Sequence, residues 1–541
     1  MRVSNRKLLT KKGLNMRAPG FVSIFLAIAA SPMYVSAAPV QSSATAKHNQ
    51  QDVLFAFDDR SIEATRGVKL RMVRPDKHSS NPILERGKMG APDAHRAIFP
   101  TVIHDNGAWR MWYAAVPGHG NYYKSLVGYA ESDDGVTWRK PELGLTEFHG
   151  SQKNNLVKMV RGLSIVSVMV DEGAPPERRY VMAGADMSWW TGWYLDSPST
   201  TRIDVSRDGL QWTPLRDEPG LIPQMNLTST IYKFNGKYHV AAKQISPLLR
   251  IPMQTIYPTG NYGMLGPRTL VVWRSPRIDR WPLENIKNLT IKPMRSSSPY
   301  VRGWDREDVH FVYVTPYRNV CLGVYGQMHH PPHPDEEGYD INVVSADLGL
   351  VISNDGVHFR EPAPGFTLVA RDQELRWDRD YRDNRDKDKI LLIQGPMLNT
   401  DSRTHLYYAA GTPQGNVAQA KFNIGLATWP RDRFGYLGLI DERMSGQFVS
   451  CPLEYRCGMR LYVNADIPAG SSLQVYLLDE HGLDVLPGYS AAAGGKVSES
   501  GLDVAVEWRE KPFLPIGQRF KIRCELNGKT RVFAVYLRAA T

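Results

Sequence analysis

The chain has 541 residues and a formal net charge of +11, too long for one compact core and suited to two or three domains. Six basic residues and no acidic one lie in the first 37 positions, so without them the charge falls to +5, and nothing argues for a nucleic-acid partner. Its 45 Gly, 37 Pro, 25 Tyr and 13 Trp, with weak helical periodicity, argue against long helices and for an all-β protein.

Arg2, Arg6, Lys7, Lys11, Lys12 and Arg17 precede the apolar run 21–30, and Val35-Ser36-Ala37 has the small-residue pattern of a cleavage site. Residues 1–37 are therefore expected to be a signal peptide. No later apolar run is long enough to span a bilayer, so the expected location is secreted or periplasmic, with no membrane insertion after cleavage. Residues 38–50, rich in Ala, Ser and Gln, read as a linker.

From residue 51 to 445 short alternating strands recur. Asn106-Gly107 and Asn235-Gly236 are expected to turn two-residue hairpins, because both positions tolerate the positive φ such turns require. The box Ser-x-Asp-Gly-x-x-Trp appears at Ser132–Trp138 and Ser206–Trp212, and as Ser353–Phe359. Degenerate copies begin at Ser275 and Thr428, so that the interval is 69 to 78 residues throughout. A period of that size made of strands and hairpins is the mark of radial repetition. Five copies predict a five-bladed β-propeller, with the boxes as structural turns and their closing aromatics wedged between blades. From 446 to 541 the spacing changes to short strands with Gly, Asn and Asp turns, which predicts a C-terminal β-sandwich. Of Cys321, Cys451, Cys457 and Cys524, the close pair Cys451 and Cys457 is a candidate disulfide in an oxidising compartment, and no Cys-x-x-Cys favours zinc.

The stretches 54–63, Asn81-Pro82-Ile83-Leu84, Arg110-Met111-Trp112-Tyr113, the first box with its extension 138–145, Asn154-Asn155-Leu156-Val157, and Ile424-Gly425-Leu426-Ala427 together resemble glycoside hydrolase family 32. The resemblance implies a five-bladed propeller with carbohydrate-active chemistry of the fructosidase and arabinofuranosidase kind. The family's Asn-Asp-Pro is replaced by Ile98-Phe99-Pro100-Thr101, and its Arg-Asp-Pro and Glu-Cys motifs have no clear counterpart.

Propeller sites lie on the axis at the ends of the innermost strands, and glycoside hydrolysis needs two carboxylates facing one bond. The candidates are therefore the acids just before each presumed inner strand. Asp93, followed by His95 and Arg96, is the candidate base or nucleophile; Glu307 or Asp308, with Asp305 beside them, is the candidate general acid. Trp377 and Asp378 belong to a mixed-charge stretch, 371–389, that suits a substrate-grasping rim. Trp189, Trp190 and Trp193 form an aromatic-dense loop whose ring faces suit sugar stacking. The His-rich stretch 327–337 matches no known metal-ligand spacing, so neither a metal nor a cofactor is expected. The expected partner is a poly- or oligosaccharide; an acidic one is permitted. The rival expectation is a glycan-binding propeller without catalysis.

Overall fold

A computed structural model describes residues 51–118, 125–186, 200–216, 222–223, 228–245, 268–281, 287–288, 307–329, 345–371, 391–414 and 416–540. The expected signal peptide, 1–37, and the linker, 38–50, lie outside them. The described residues are all-β apart from one short 3-10 turn, Pro176–Arg178. No helix among them is long and apolar enough to cross a membrane.

The repeat unit is a four-stranded antiparallel meander. The first comprises Arg96–Asp105, Ala108–Val116, Leu126–Ser132 and Trp138–Arg139. The second comprises Ser164–Val170, Tyr180–Asp186, Thr200–Ser206 and Gln211–Pro214, and the third Thr228–Phe234, Lys237–Ile245, Arg268–Ser275 and Lys287–Asn288. The fourth is Glu307–Pro316, Cys321–His329, Ser345–Ser353 and Thr367–Val369. A fifth runs Leu391–Asn399, Arg403–Gln414 and Asn416–Pro430, and its outer strand is Asp76–Lys77 from the other end of the chain. Each first strand packs beside the first strand of the next meander, and Leu391–Asn399 packs beside Arg96–Asp105, which closes the ring of a propeller. That last contact is close: a Cβ on Gly395 would lie 2.1 Å from the Pro100 carbonyl oxygen.

Local sequence explains much of this. Asp105 pairs with Ala108 and Phe234 with Lys237 across Asn-Gly turns whose residues all have positive φ, as expected. All five boxes sit at the corner after the third strand. In the first, the Ser132 hydroxyl accepts from the Gly135 amide (2.9 Å), and Asp134 accepts from the amides of Val136 (2.8 Å) and Thr137 (2.7 Å). The second repeats these bonds around Ser206 and Asp208.

The box aromatics do pack between meanders, Trp138 edge-on against Tyr407 of the fifth (5.7 Å between ring centroids) and Trp212 against Trp112 of the first (6.4 Å). Trp212 is buried, but Trp138 is only half-buried. The seam is also made at the box glycine, whose carbonyl accepts two indole or phenol donors from two meanders. Gly209 O accepts from Trp212 Nε1 (2.9 Å) and from Trp112 Nε1 of the preceding meander (2.7 Å). Gly135 O accepts from Trp138 Nε1 (3.1 Å) and from Tyr407 of the fifth meander (2.8 Å).

The sandwich also departs from its expected limits. Its first sheet orders Val68–Met72, Gly435–Leu439, Arg531–Ala539, Met459–Asp466 and Gly501–Val506, with Asp52–Phe55 also on Arg531–Ala539. Its second orders Ile62–Arg66, Gly446–Ser450, Phe520–Asn527, Ser472–Asp479 and Lys496–Val497. Four strands within 51–445, the span expected for the propeller, thus belong to the sandwich, because alternation marks a strand without naming its partner. Cys451 and Cys457 are not bridged: all four cysteines are free thiols, and Cys451 Sγ donates to the Arg60 carbonyl instead.

Candidate functional site

The pairing register levels one end of the ring. Asp308 pairs with Met328, Met328 with Ala346, and Ala346 with Leu391 in parallel. Leu391 pairs with Gly411, Gly411 with Phe422, and Phe422 with Arg96, again in parallel. The first strands of the fourth, fifth and first meanders therefore run the same way and start at one level. Glu307, Asp308, His95 and Arg96 lie at that level in the backbone register.

Just inside this end every first strand is irregular. Register shifts occur at Ile98/Thr101, Ser164/Ser167, Thr228/Thr230, His310/Val312 and Gln394/Met397. Phe99 and Ile165 have φ of 55° and 50° there, a region that side-chain-bearing residues rarely adopt. Bulges of this kind re-aim side chains near functional sites. Hydroxyls stitch neighbouring strands below them: Thr101 Oγ1 to Val166 O (3.4 Å), Ser167 Oγ to the Ile231 amide (3.3 Å), and Thr315 Oγ1 to Met397 O (3.0 Å). Tyr313 is fully buried beside them, with a hydroxyl that has no hydrogen-bond partner among the described residues.

At the first meander, His95 and Arg96 are buried, and the Arg96 guanidinium lies 5.7 Å from the Phe422 ring centroid. Asp93 is buried as well. Its Oδ2 accepts from Tyr113 Oη (2.9 Å) and Lys140 Nζ (2.5 Å), and its Oδ1 from the Gly87 amide (3.1 Å). Lys140 also donates to Glu85 O (2.6 Å), and Asn155 donates to Tyr113 Oη (2.8 Å). Burial, then the Asp93 charge, pushes the Tyr113 hydroxyl far above its usual range, so it remains a donor. Sequence reasoning missed Lys140 and Tyr113 as partners of Asp93, although both lie within the stretches that carry the family resemblance.

A second buried charge cluster sits at the same end of the second meander, where Asp186 closes its strand opposite Thr200. Arg202 donates to both oxygens of Asp204 (2.7 and 3.0 Å), to Asp186 Oδ2 (3.2 Å) and to the Arg161 carbonyl. Burial raises the Asp204 carboxyl above the ordinary carboxylate range, against the pull of Arg202. The signal was present as the alternation Arg202-Ile203-Asp204-Val205 in a strand with no other charged residue.

Asp305, Trp189, Trp190, Trp193, Trp377 and Asp378 lie outside the described residues. Among the described residues no three His, Cys, Asp or Glu side chains are grouped to hold a metal ion.

No protein-family model matches the chain. An uncharacterised protein of Mycobacterium tuberculosis is 27% identical over 134 residues, which are 24% of this chain and 38% of that protein. The match thus spans little more than a third of that relative. A glycosyl hydrolase from Bacteroides ovatus is similar in structure, with TM-score 0.40 and 16% identity, over 67% of this chain and 95% of the other. A glycoside hydrolase family 43 arabinoxylan arabinofuranohydrolase from Bacillus subtilis, solved with cellotetraose, gives TM-score 0.37 and 10% identity over 86% and 99% of the two chains. These likenesses are too distant to transfer a substrate or a residue.

Proposed function

We propose that this protein is an exported glycoside hydrolase acting on oligo- or polysaccharides at the levelled end of its propeller. The observation that carries the reading is the continuous register from Asp308 to Arg96, which brings acids of the fourth meander to the same end as the buried Arg96 of the first. Glu307 or Asp308 serves as general acid. The second carboxylate is Asp93 or Asp186, both at that end, and His95 and Arg96 line the approach to the sugar. Substrates of the fructosidase and arabinofuranosidase kind follow from the resemblance to glycoside hydrolase family 32.

One observation favours the rival reading, a glycan-binding propeller without catalysis. Asp93 and Asp186 are each engaged by a buried or half-buried cation, which holds a carboxylate as a structural anion rather than a nucleophile. A single experiment separates the two. The purified protein and its Glu307→Gln, Asp308→Asn, Asp93→Asn and Asp186→Asn variants are assayed for hydrolysis of an oligosaccharide panel, with thermal melts as control. General acid–base groups contribute about 10²–10⁴-fold, so the hydrolase reading expects at least one fourth-meander variant to lose most turnover with its melt unchanged. Binding without turnover by the unaltered protein would establish the rival. Turnover that survives all four substitutions would place the chemistry elsewhere.

A further inference from the structure

The chain crosses from the fifth meander to the first through a loop whose two ends almost meet. Leu84 and Ile424 exchange backbone hydrogen bonds (3.2 and 2.9 Å), and Arg96 pairs with Phe422 in parallel. Residues 85–95 therefore leave the strand Asn416–Pro430 at Ile424 and return to it at Phe422. They do so at the end of the ring where His95 and Arg96 lie. A loop of this length with its ends so close is an Ω-loop, a compact surface form that is often functional.

Its neck is packed and its tip is bare. A Cβ on Gly87 would lie 2.5 Å from the Ala91 Cβ and 2.5 Å from Asp93 Oδ1, so the two limbs touch there. The Gly87 amide donates to Asp93 Oδ1 (3.1 Å), and the Ala91 amide to the Lys88 carbonyl (2.9 Å). Gly90 has φ of 92° with open space where a Cβ would be, and Met89 beside it is fully exposed. From outside the loop, the Arg86 amide is held by Asn423 Oδ1 (2.9 Å) and Asp93 Oδ2 by Tyr113 (2.9 Å). The Lys140 ammonium spans the neck, donating to the Glu85 carbonyl on one limb (2.6 Å) and to Asp93 Oδ2 on the other (2.5 Å). Lys140 directly follows the outer strand of the first meander, so one cation ties both limbs to that meander. Its side chain is 23% exposed and that of Asp93 only 2%.

A loop held at its neck by a handful of polar bonds opens more easily than the strands beside it, because opening it exposes little apolar surface. The charge-assisted bonds of Lys140 make the closed form the resting one. We propose that residues 85–95 are a lid on the levelled end of the propeller, that this lid opens as a unit, and that Lys140 is its catch. The inference rests on the functional end argued above and adds a moving part to it. Opening separates Asp93 from Lys140, and closing over a bound sugar brings the Met89 tip onto it.

The test is amide hydrogen exchange of the full chain, read by mass spectrometry, beside a Lys140→Met/Asp93→Asn double variant. Asparagine keeps an acceptor for the Gly87 amide and the Tyr113 hydroxyl, so the variant loses the catch without burying an unpaired charge. In the unaltered protein the amides of 85–95 should exchange at a rate insensitive to urea below the unfolding transition. In the double variant they should exchange about tenfold faster or more, as loss of a charged hydrogen bond implies, with Arg96–Asp105 and Ala108–Val116 unchanged. Exchange of the loop only together with those strands, or one loop rate in both proteins, would overturn the lid. Should the double variant fail to fold, the urea dependence of the unaltered protein decides alone. The measurement is repeated with a fructo-oligosaccharide and an arabino-oligosaccharide, their binding followed by calorimetry. A bound sugar should slow exchange of the loop; binding that leaves it unchanged would make 85–95 a fixed loop and overturn the proposal. If neither sugar binds, the substrate class proposed above fails, and exchange in the free protein still decides the lid.

Discussion

At the scale of single residues, the box glycine does two jobs that can be separated. Gly107 and Gly209 both have φ of 77°, so both are strained by any side chain. Around Gly107 a Cβ meets nothing within 4 Å, whereas at Gly209 it would lie 2.7 Å from the Trp112 ring. Trp112 is fully buried and tied to the same glycine's carbonyl, so it has no room to retreat. Gly107→Ala should therefore cost only the left-handed penalty, about 1–2 kcal/mol. Gly209→Ala should add an overpacking cost of about 1–3 kcal/mol to it. Denaturant midpoints of the two variants measure the difference directly. Equal losses would mean that the seam between meanders yields easily and that the glycine serves the turn alone.

At the scale of elements, two buried histidines make the meanders acid-sensitive. His239, on the second strand of the third meander, stacks on Tyr232 at 5.0 Å. His405, on the second strand of the fifth, meets Trp109 of the first at 5.3 Å, and Trp109 in turn stacks on His104. Burial lowers His239 and His405 to about 4, with neighbouring cations, Arg274 and Lys237 for one and Arg403 for the other, acting in the same direction. A folded value below the unfolded one means that the unfolded chain binds the proton first. Stability is then full above about pH 6.5 and falls as the pH drops toward 4, by on the order of 3 kcal/mol per histidine. The box carboxylates act in a lower window. Burial pushes Asp134 up, but the amides of Thr137 and Val136 and the Ser132 hydroxyl outweigh it and hold it at about 2. Its contribution is therefore lost only below about pH 4. Denaturation of the protein and its His239→Phe and His405→Phe variants at pH 7 and 4.5 should show the variants losing less on acidification; parallel losses would sink the assignment. These histidines carried no signal in the sequence, whereas the boxes and Asn-Gly hairpins did. A turn is decided by residues within a few positions of one another, so Ser132, Asp134 and Gly135 announce their own geometry. His405 against Trp109, or Lys140 on Asp93, is decided by how the meanders close into a ring. The acids before the inner strands could be found because the repeat itself says where those strands begin.

At the scale of the whole molecule, the first described strands serve both parts of the fold. Asp52–Phe55, Ile62–Arg66 and Val68–Met72 complete the two sandwich sheets, and Asp76–Lys77 is the outer strand of the fifth meander. The join is also polar and buried. Asp432 accepts from Tyr317 (2.6 Å) and Asn399 (2.9 Å) of the propeller and from Tyr536 (2.8 Å) of the sandwich. Asp58 is bound by Asn354 (2.8 Å) and Arg360 (2.6 Å) at the fourth meander's box. Neither part can therefore be cut free without leaving unpaired sheet edges and buried polar groups, each of the latter costing about 1–3 kcal/mol. A fragment spanning 446–541, the extent that strand spacing alone suggests for the sandwich, lacks four of its strands: the three named above and Gly435–Leu439. It should show no cooperative thermal transition, while the protein from residue 51 onward should melt in one transition seen alike by far-ultraviolet circular dichroism and tryptophan fluorescence. The fluorescence reports mainly on the propeller, because among the described tryptophans only Trp508 lies in the sandwich. Circular dichroism reports on both parts. Two separated transitions, or a folded fragment, would show that the shared strands and the Asp432 network decorate two independent domains. Coincident curves would show that the sandwich is a structural part of the ring's closure, held there by the same twenty-odd residues that begin the described chain.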